Sequence, residues 1–317
     1  MTKHYGNSRH FYIANGLSID SCLELPELTR LSTGRVENFD VKIDFGEVPE
    51  SLPNPVSSGI RFQAAPGEFL LRMENIASYW VRNGEKIIIK TKEGVEESEI
   101  RVFLLASAFG ALAHQKGLFP IHASSIVHND HAILFAGSSG LGKSTLAAHF
   151  YKKGYTVLAD DITVVKYNEQ LDTVVAFPGY QQLKLWEDTL LNIKEDKDQY
   201  KILRKGLNKY GYPISRDHLN PIPISRIYTL HILPGTKTVI TELEGWNKFD
   251  SLKYQTFRQK LVAPFGRQKE HFADLDRVCK NVPIYNIERP SSRESLHDFF
   301  EILEEHFSSD INNEICE

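Results

Sequence analysis

One octapeptide of the sequence, Gly137-x-x-x-x-Gly142-Lys143-Ser144, combines the residue types that bind phosphate. Its glycines allow positive φ and let backbone N–H groups approach a polyphosphate closely. A lysine at this position reaches the β- and γ-phosphates of a nucleotide, and the hydroxyl that follows it is placed to ligate Mg²⁺. The pattern predicts a phosphate-binding loop, although a glycine-rich turn that holds no ligand would have the same spacing. The predicted nucleotide contacts are Gly137, Ser138, Ser139, Gly140, Leu141, Gly142, Lys143, Ser144 and Thr145.

Two adjacent carboxylates, Asp160 and Asp161, follow an apolar segment at residues 155–159 that is typical of a strand. In nucleotide-hydrolysing P-loop proteins an aspartate on a neighbouring strand holds Mg²⁺, and in kinases a carboxylate accepts the proton of the attacking hydroxyl. Because side chains alternate along an extended chain, the two acids are expected to face different partners. We expect one on the metal and the other on the substrate hydroxyl. Alternatively, one holds the metal and the other caps a turn.

His122 precedes the segment that leads into the octapeptide. A histidine among apolar residues is commonly a core residue that hydrogen-bonds to backbone, and spacing alone leaves that interpretation open. Taken together, residues 121–124, 137–144 and 154–161 resemble the catalytic domain of HPr kinase/phosphorylase. That bacterial family phosphorylates a serine of a small phosphocarrier protein. The resemblance implies an α/β fold with a P-loop kinase core of the HPr kinase/phosphoenolpyruvate carboxykinase type.

The resemblance also implies roles for individual residues. It places ATP on residues 137–144 and Mg²⁺ on Ser144 and Asp161. It makes Asp160 the base toward the acceptor hydroxyl, and it places His122 near the transferred phosphate, where Lys143 also reaches. The cofactors that it implies are ATP and Mg²⁺.

One segment departs from the HPr kinase pattern. HPr kinases follow the paired aspartates with a Glu-Ile-Arg-Gly-Leu-Gly type motif, whereas residues 177–186 here read Phe-Pro-Gly-Tyr-Gln-Gln-Leu-Lys-Leu-Trp. This segment resembles a divergent branch of the family that includes the lasso-peptide precursor kinases, which phosphorylate a serine at the C-terminus of the precursor. The resemblance implies a peptide or small-protein substrate with an acceptor serine. HPr itself, a nucleotide-binding regulator or NTPase without an acceptor, and a metabolite carboxykinase remain alternatives.

The elements that must position these residues fall into two predicted domains, a small antiparallel β-rich domain over residues 1–115 and the catalytic domain over residues 116–317. A hairpin is predicted around Asn83-Gly84, because a type I′ turn needs positive φ at both central positions. Residues 100–117 have a helical pattern that ends at a glycine. Further along, we expect helices over residues 249–262, 270–282 and 293–307, the last capped by Ser291 or Ser292, and a charged, mobile stretch over residues 194–209.

The 317-residue chain has a formal net charge of −4, so no global basic field attracts nucleic acid or anionic lipid. Its first residues lack the apolar core of a secretory signal, and no apolar run is long enough for a membrane span, which predicts a cytoplasmic protein without a membrane partner.

A basic segment surrounds residues 264–266 and contains Arg258, Lys260, Arg267 and Lys269. It either closes over the phosphates, contacts another subunit or is simply solvated. Because HPr kinases are hexamers, a homo-oligomer is expected.

Overall fold

The computed structural model describes residues 8–31, 38–204, 206–215, 220–233, 237–289 and 296–309. Within these residues the protein is a mixed α/β structure with two large sheets and one small sheet. The first large sheet has the order β3-β1-β2-β4-β9-β8-β7-β6-β5. Its strands are β1 (His10–Ala14), β2 (Leu17–Ser21), β3 (Thr29–Arg30), β4 (Val41–Phe45), β5 (Ser57–Ser58), β6 (Phe62–Ala65), β7 (Glu68–Met73), β8 (Ala77–Arg82) and β9 (Lys86–Thr91).

The first sheet contains the predicted hairpin but is not purely antiparallel. Asn83 and Gly84 join β8 to β9 and have φ of 51° and 67°, as a type I′ turn requires. However, β4 lies between β2 and β9 and runs parallel to both, so the expectation of an antiparallel module is wrong at this strand. Val41 and Ile43 of β4 are fully buried in the core beneath the sheet, which fixes the register of the strand.

Helices cover one face of the first sheet. The predicted helical segment consists of α1 (Glu97–Phe103), a π-helical turn (Leu104–Ala108) and α2 (Phe109–Gln115). Buried residues of this segment, such as Ile100 and Leu104, belong to the same apolar cluster as the sheet. The Tyr79 hydroxyl donates a 2.8 Å hydrogen bond to the Ile100 carbonyl and so joins the two layers.

The two parts of the chain that the sequence divides near residue 115 share an apolar core. Tyr180, Leu261 and Phe265 come from the second part, yet they belong to the buried cluster of the first sheet. Backbone hydrogen bonds also cross between the parts, from Asn15 N to Pro178 O at 2.8 Å and from Gln181 N to Glu27 O at 2.8 Å. The division into two domains stays a prediction.

The second large sheet carries the glycine-rich loop. Its main order is β10-β14-β15-β19-β12-β11-β13, with β21 beside β19 and β20 beside β21. β12 runs parallel to β19, and β19 runs parallel to β21. The strands are β10 (Phe119–Ile121), β11 (Ala123–His128), β12 (His131–Ala136), β13 (Thr156–Ala159), β14 (Thr163–Asn168), β15 (Thr173–Ala176), β19 (Ile222–Ile232), β20 (Val239–Glu242) and β21 (Ile284–Arg289).

Five helices accompany this second part of the chain within the described residues, α3 (Lys143–Lys152), α4 (Glu187–Asn192), α5 (Gly245–Tyr254), α6 (Gln268–Asn281) and α7 (Leu296–Ser309). The helix expected over residues 249–262 instead ends with α5, and a 3₁₀ turn (Gln259–Leu261) follows. The helix stops because residues 255–257 pair with the chain at β10 instead, where His122 N donates to Gln255 O and Phe257 N donates to Pro120 O. The expected caps of the last helix, Ser291 and Ser292, lie outside the described residues. No helix in the described ranges has the length and apolarity that a membrane crossing needs.

The small sheet has the order β16-β18-β17, with strands β16 (Gln182–Trp186), β17 (Lys201–Arg204) and β18 (Leu207–Pro213). The described part of the charged stretch over residues 194–209 includes β17 and the start of β18, and its mobility stays a prediction. β18 pairs with β16. This pairing explains why strands form here, because Leu183 and Leu185 on β16 and Tyr210 and Tyr212 on β18 are all buried in the core beside α3. β17 itself reads Lys-Ile-Leu-Arg, without alternation of apolar and polar residues, so no strand pattern marks it in the sequence.

Candidate functional site

The glycine-rich loop connects β12 directly to α3. β12 is a central strand, hydrogen-bonded to β11 on one side and to β19 on the other. Gly140 and Gly142 have φ of 91° and 97°, a conformation that side chains rarely adopt, and α3 begins at Lys143. The first N–H groups of this ten-residue helix lack intrahelical partners and favour an anion at its start. The predicted strand, loop and helix are thus all present in order.

Lys143 is buried at the base of the loop. Its ammonium donates hydrogen bonds to the carbonyl oxygens of Gly137 at 2.7 Å and Ser138 at 3.0 Å, and it contacts His122 Nε2 at 3.1 Å. Burial lowers the pKa of Lys143 to about 8, against the opposing attraction of Asp161 and Asp160. The amine is therefore still mostly charged at neutral pH, but it loses its proton at a lower pH than an exposed lysine does.

His122 connects Lys143 to the paired acids. Its Nδ1 lies 2.9 Å from the backbone carbonyl oxygen of Asp161. Because a carbonyl can only accept, Nδ1 carries the proton, which leaves Nε2 free to accept from the Lys143 ammonium. Burial and the neighbouring Lys143 lower the pKa of His122, so the neutral ring fits both contacts. The histidine thus lines the cleft and also hydrogen-bonds to backbone.

Asp160 faces the helix rather than the open cleft. It is buried, with 1% of its surface exposed. Its Oδ1 accepts hydrogen bonds from the hydroxyls of Ser124 at 2.6 Å and Ser144 at 2.8 Å, and its Oδ2 accepts one from the backbone N–H of Lys184 at 2.8 Å. The hydroxyl predicted to bind a metal is therefore in contact with Asp160, whereas the sequence prediction paired it with Asp161.

Asp161 turns the other way and lines the cleft. β13 ends at Ala159, and Asp161 has a left-handed φ of 69°, which a non-glycine residue takes up at an energetic cost. Its Oδ2 lies 2.7 Å from the Lys184 ammonium, and its Oδ1 lies 3.7 Å from His122 Nδ1. Burial alone would raise the pKa of Asp161, but Lys184 outweighs it and holds the pKa well below the usual range.

Lys184 is a site residue that the sequence interpretation missed. Through its backbone N–H it contacts Asp160, and through its ammonium it contacts Asp161, so one residue of β16 holds both acids. Burial opposes its charge, yet the pair with Asp161 raises the pKa of Lys184. A signal was present, because a lysine between the two buried leucines of β16 must point away from their core toward the opposite face.

The side chains surround a cleft of about 210 Å³. Cationic side chains outnumber acidic ones four to two along its walls, with Lys143, Lys184, Lys209 and Arg289 opposite Asp161 and Asp188. This excess of positive charge suits a polyanion. Of the nine predicted nucleotide contacts, the six that line the cleft are Ser139, Gly140, Gly142, Lys143, Ser144 and Thr145.

The oxygen atoms available for a metal are few. Among the described residues, no three or more His, Cys, Asp and Glu side chains are grouped to hold an ion. Ser144 and Asp160 nevertheless bring a hydroxyl and a carboxylate together, and Mg²⁺ characteristically takes one or two protein carboxylates and completes its shell with water and phosphate. The donor set therefore fits Mg²⁺ bound together with a nucleotide.

The basic segment around residues 264–266 does not reach this cleft. Pro264 and Phe265 are buried, and Phe265 belongs to the core of the first sheet. None of Arg258, Lys260, Arg267 and Lys269 lines the cleft. These four residues therefore lie outside the cleft lining, although Arg258 is near enough to Asp161 for their charges to interact.

The likeness of this chain to known proteins is structural and weak. No family model matches the chain, and no curated protein matches it. Among solved structures, the Hpr(Ser) kinase/phosphatase from Coxiella burnetii aligns with 60% of this chain and 97% of its own, at a TM-score of 0.30 and 9% identity. A likeness at this level carries no argument about function, so any function of this protein must be inferred from the geometry of the cleft.

Proposed function

We propose that the protein is an ATP- and Mg²⁺-dependent phosphotransferase that moves the γ-phosphoryl group to a serine hydroxyl of a peptide or small protein. One observation carries the proposal. The glycine-rich loop places Ser144 against Asp160, while the adjacent Asp161 faces the cleft with Lys184. The site thus has one acid on the side of the expected metal and a second acid beside the expected phosphate, as a transferase requires and a simple anion-binding turn does not.

The loop and its helix would bind the phosphates. Positive φ at Gly140 and Gly142 leaves the loop free of side chains on its inner surface, and the α3 N-terminus adds unpaired N–H groups. Lys143 would exchange its contacts with the Gly137 and Ser138 carbonyls for phosphate oxygens. The base of the nucleotide would then lie toward the aromatic side chains of the cleft, which are Trp186, Phe299 and Phe300.

Ser144 and Asp160 would hold the metal ion. When bound there, Mg²⁺ would neutralise charge on the β- and γ-phosphate oxygens. Asp160 is fixed for this role by Ser124 and by the Lys184 N–H, both of which orient its carboxylate toward Ser144. This assignment exchanges the roles that the family resemblance implied for the two aspartates.

Asp161 is the better candidate for the proton acceptor. It lines the cleft, and Asp160 does not. In the transfer, the serine oxygen forms a bond to the γ-phosphorus, the bond from that phosphorus to the bridging oxygen of ADP breaks, and the serine proton passes to Asp161. Because its pKa is held low, Asp161 is ionised near neutral pH and can accept a hydrogen bond from the serine hydroxyl, which orients the hydroxyl for attack.

The acceptor class follows from the segment that differs from HPr kinases. Residues 177–186 supply Lys184 to the acids and Trp186 to the cleft, so the departure lies inside the site. On this basis we favour a ribosomal precursor peptide, as in the lasso-peptide kinases that this segment resembles, over HPr. A P-loop NTPase that transfers only to water is the second candidate, because a water molecule could replace the serine hydroxyl at Asp161.

The test compares wild-type protein with Asp161→Asn, using γ-labelled ATP with Mg²⁺ and serine peptides or HPr. We expect wild-type protein to label an acceptor, and Asp161→Asn to lose about 10²- to 10⁴-fold in rate while still binding ATP. Ser225→Ala on β19, outside the cleft, is the control and should keep full activity. Phosphate release to water alone would support the NTPase, and unchanged transfer by Asp161→Asn would contradict the assigned base.

A further inference from the structure

A second cavity of about 340 Å³ adjoins the candidate site, and Lys184 lines both cavities. We propose that this second cavity, the acceptor groove, seats an extended peptide segment whose serine reaches Asp161. The inference rests on the proposed function and deepens it, because it assigns the acceptor site. It also gives the N-terminal part of the chain a role in substrate recognition.

One wall of the acceptor groove is a helical face. Ser98, Arg101, Val102 and Leu105 line it, and their spacing of three, four and seven residues places them on one side of α1 and the turn that follows. Arg101 is held in place by an ion pair with Glu27 at 2.9 Å, and both side chains are largely buried. The wall is therefore rigid and belongs to the N-terminal part of the chain.

The opposite wall is the edge of the small sheet. Residues 199–203 line the groove in an unbroken run that includes most of β17. β17 pairs with β18 on one side only, and no described strand pairs with its other side. An unpaired strand edge beside a helical face suits an extended peptide, which can add to the sheet through backbone hydrogen bonds. A small metabolite has no peptide backbone that could pair with such an edge.

The floor of the groove leads toward the reacting groups. Lys184, Gly211 and Lys201 are cross-strand neighbours on one face of the small sheet. The side chains of Gln182 and Leu203 pack over Gly211, because a Cβ there would lie 2.5 Å from Gln182 Nε2 and 3.1 Å from a Leu203 methyl carbon. At the far end the Lys184 ammonium lies 2.7 Å from Asp161 Oδ2. A peptide in the groove is thus separated from the proposed base by one side chain.

The groove indicates the chemistry of its occupant. Val102, Leu105 and Leu203 present apolar surface. Lys201 has no ion pair within the described structure, so it supplies positive charge that an acidic residue would neutralise. Glu27, which also lines the groove, already pairs with Arg101, so it leaves the charge of Lys201 unopposed. The expected acceptor therefore carries an apolar residue and an acidic residue near its serine.

The experiment uses the full chain, ATP with Mg²⁺ and a degenerate peptide pool with one fixed serine. We expect wild-type protein to label peptides enriched in apolar and acidic residues near the serine. Val102→Trp, which fills the groove, should raise the KM for a selected peptide about tenfold or more and leave ATP affinity unchanged. Ile60→Trp, on a fully exposed residue of the same part of the chain, is the matched control and should change neither value.

A charge exchange tests the occupant itself. Lys201→Glu should lose the preference for acidic peptides and gain one for peptides in which lysine replaces the acid. Labelling that is indifferent to both Val102→Trp and Lys201→Glu would overturn the groove and leave the kinase intact. A transfer to small hydroxyl metabolites but to no peptide would overturn both the groove and the proposed peptide acceptor, and would leave only the phosphotransferase activity.

Amide hydrogen exchange separates the two claims when no labelling occurs. With the peptide pool and a non-hydrolysable ATP analogue, residues 201–204 should become protected as their edge pairs with the peptide. Protection without phosphoryl transfer would support the groove and contradict the kinase. Neither protection nor transfer would overturn both.

Discussion

Lys143 shows how a single buried side chain can connect nucleotide binding to pH. Its ammonium lies among two carbonyl oxygens and the neutral His122 ring, and burial lowers its pKa to about 8. A phosphate beside it would favour the charged form and raise that pKa. Nucleotide binding should therefore be coupled to proton uptake wherever the free protein has begun to lose this proton.

We predict that ADP affinity falls above about pH 8, by up to about tenfold per pH unit, because each binding event must then protonate Lys143. Below this pKa the lysine is already charged, so affinity should be flat. Calorimetric titration with metal-free ADP between about pH 7 and pH 10 measures the effect, since the ADP phosphates are ionised throughout. Lys143→Arg, whose guanidinium stays charged, should abolish the slope. A slope that persists in Lys143→Arg would contradict the assignment.

At this scale the sequence predicts the members of the site better than their contacts. Lys143, Ser144 and the two aspartates are recognisable because their spacing is local. The partner of each acid is not, since it depends on the left-handed backbone of Asp161 and on Lys184, which lies 23 residues further along the chain. Only the folded sheet brings that lysine to the acids.

The loop between β12 and α3 is the element on which phosphate binding depends. Gly140 has φ of 91°, and no heavy atom would lie within 4 Å of a Cβ at this position. A methyl group there would meet open space in the free protein, but it would carry backbone strain and occupy the side from which a phosphate approaches.

We predict that Gly140→Ala destabilises the fold by only about 1 kcal/mol, the usual order for alanine at positive φ, yet loses most nucleotide affinity. Gly94→Ala is a matched control, because Gly94 also has positive φ, at 76°, and no heavy atom within 4 Å. Both variants should lose similar stability in urea denaturation, and only Gly140→Ala should lose ATP binding in calorimetry. Equal ATP affinity of the two variants would place the phosphates elsewhere.

At the scale of elements, local patterns give the hairpin at Asn83-Gly84 and the strand, loop and helix around residues 137–144. They fail where the pairing of strands that are distant in sequence determines the structure. β4 is parallel to both neighbours, and β17 is held by a pairing with β18 that the charged composition of residues 194–209 conceals. Hydrophobic alternation reports which face is buried, and it says little about the partner of an edge strand.

The molecule as a whole is tied together through the core of the first sheet. Phe265 and Tyr180 from the second part of the chain are buried among residues of the first part. The acceptor groove is likewise built from both parts. Unfolding of one part would therefore remove core contacts from the other, which the predicted boundary near residue 115 does not reveal.

We predict that the two parts unfold in one transition. Variants that retain only Trp80 or only Trp186 should report the same urea midpoint from the first sheet and from the cleft. Phe265→Ala should lower the free energy of unfolding by about 3 kcal/mol at both probes, because it empties a shared core position. Phe272→Ala, on a side chain that is 58% exposed, is the control and should change it little. Separate midpoints for the two tryptophans would contradict the shared core.

The division of roles between Asp160 and Asp161 is tested most directly by titrating Mg²⁺ at saturating ATP, with phosphoryl transfer as the readout, in wild-type protein, Asp160→Asn and Asp161→Asn. The contacts of Asp160 with Ser144 predict that Asp160→Asn needs at least about tenfold more Mg²⁺ to reach half its maximal rate. Asp161→Asn should keep the wild-type Mg²⁺ requirement and lose rate at every concentration. The opposite pattern, with the Mg²⁺ requirement changed by Asp161→Asn and only the rate changed by Asp160→Asn, would contradict the assignment of the two acids.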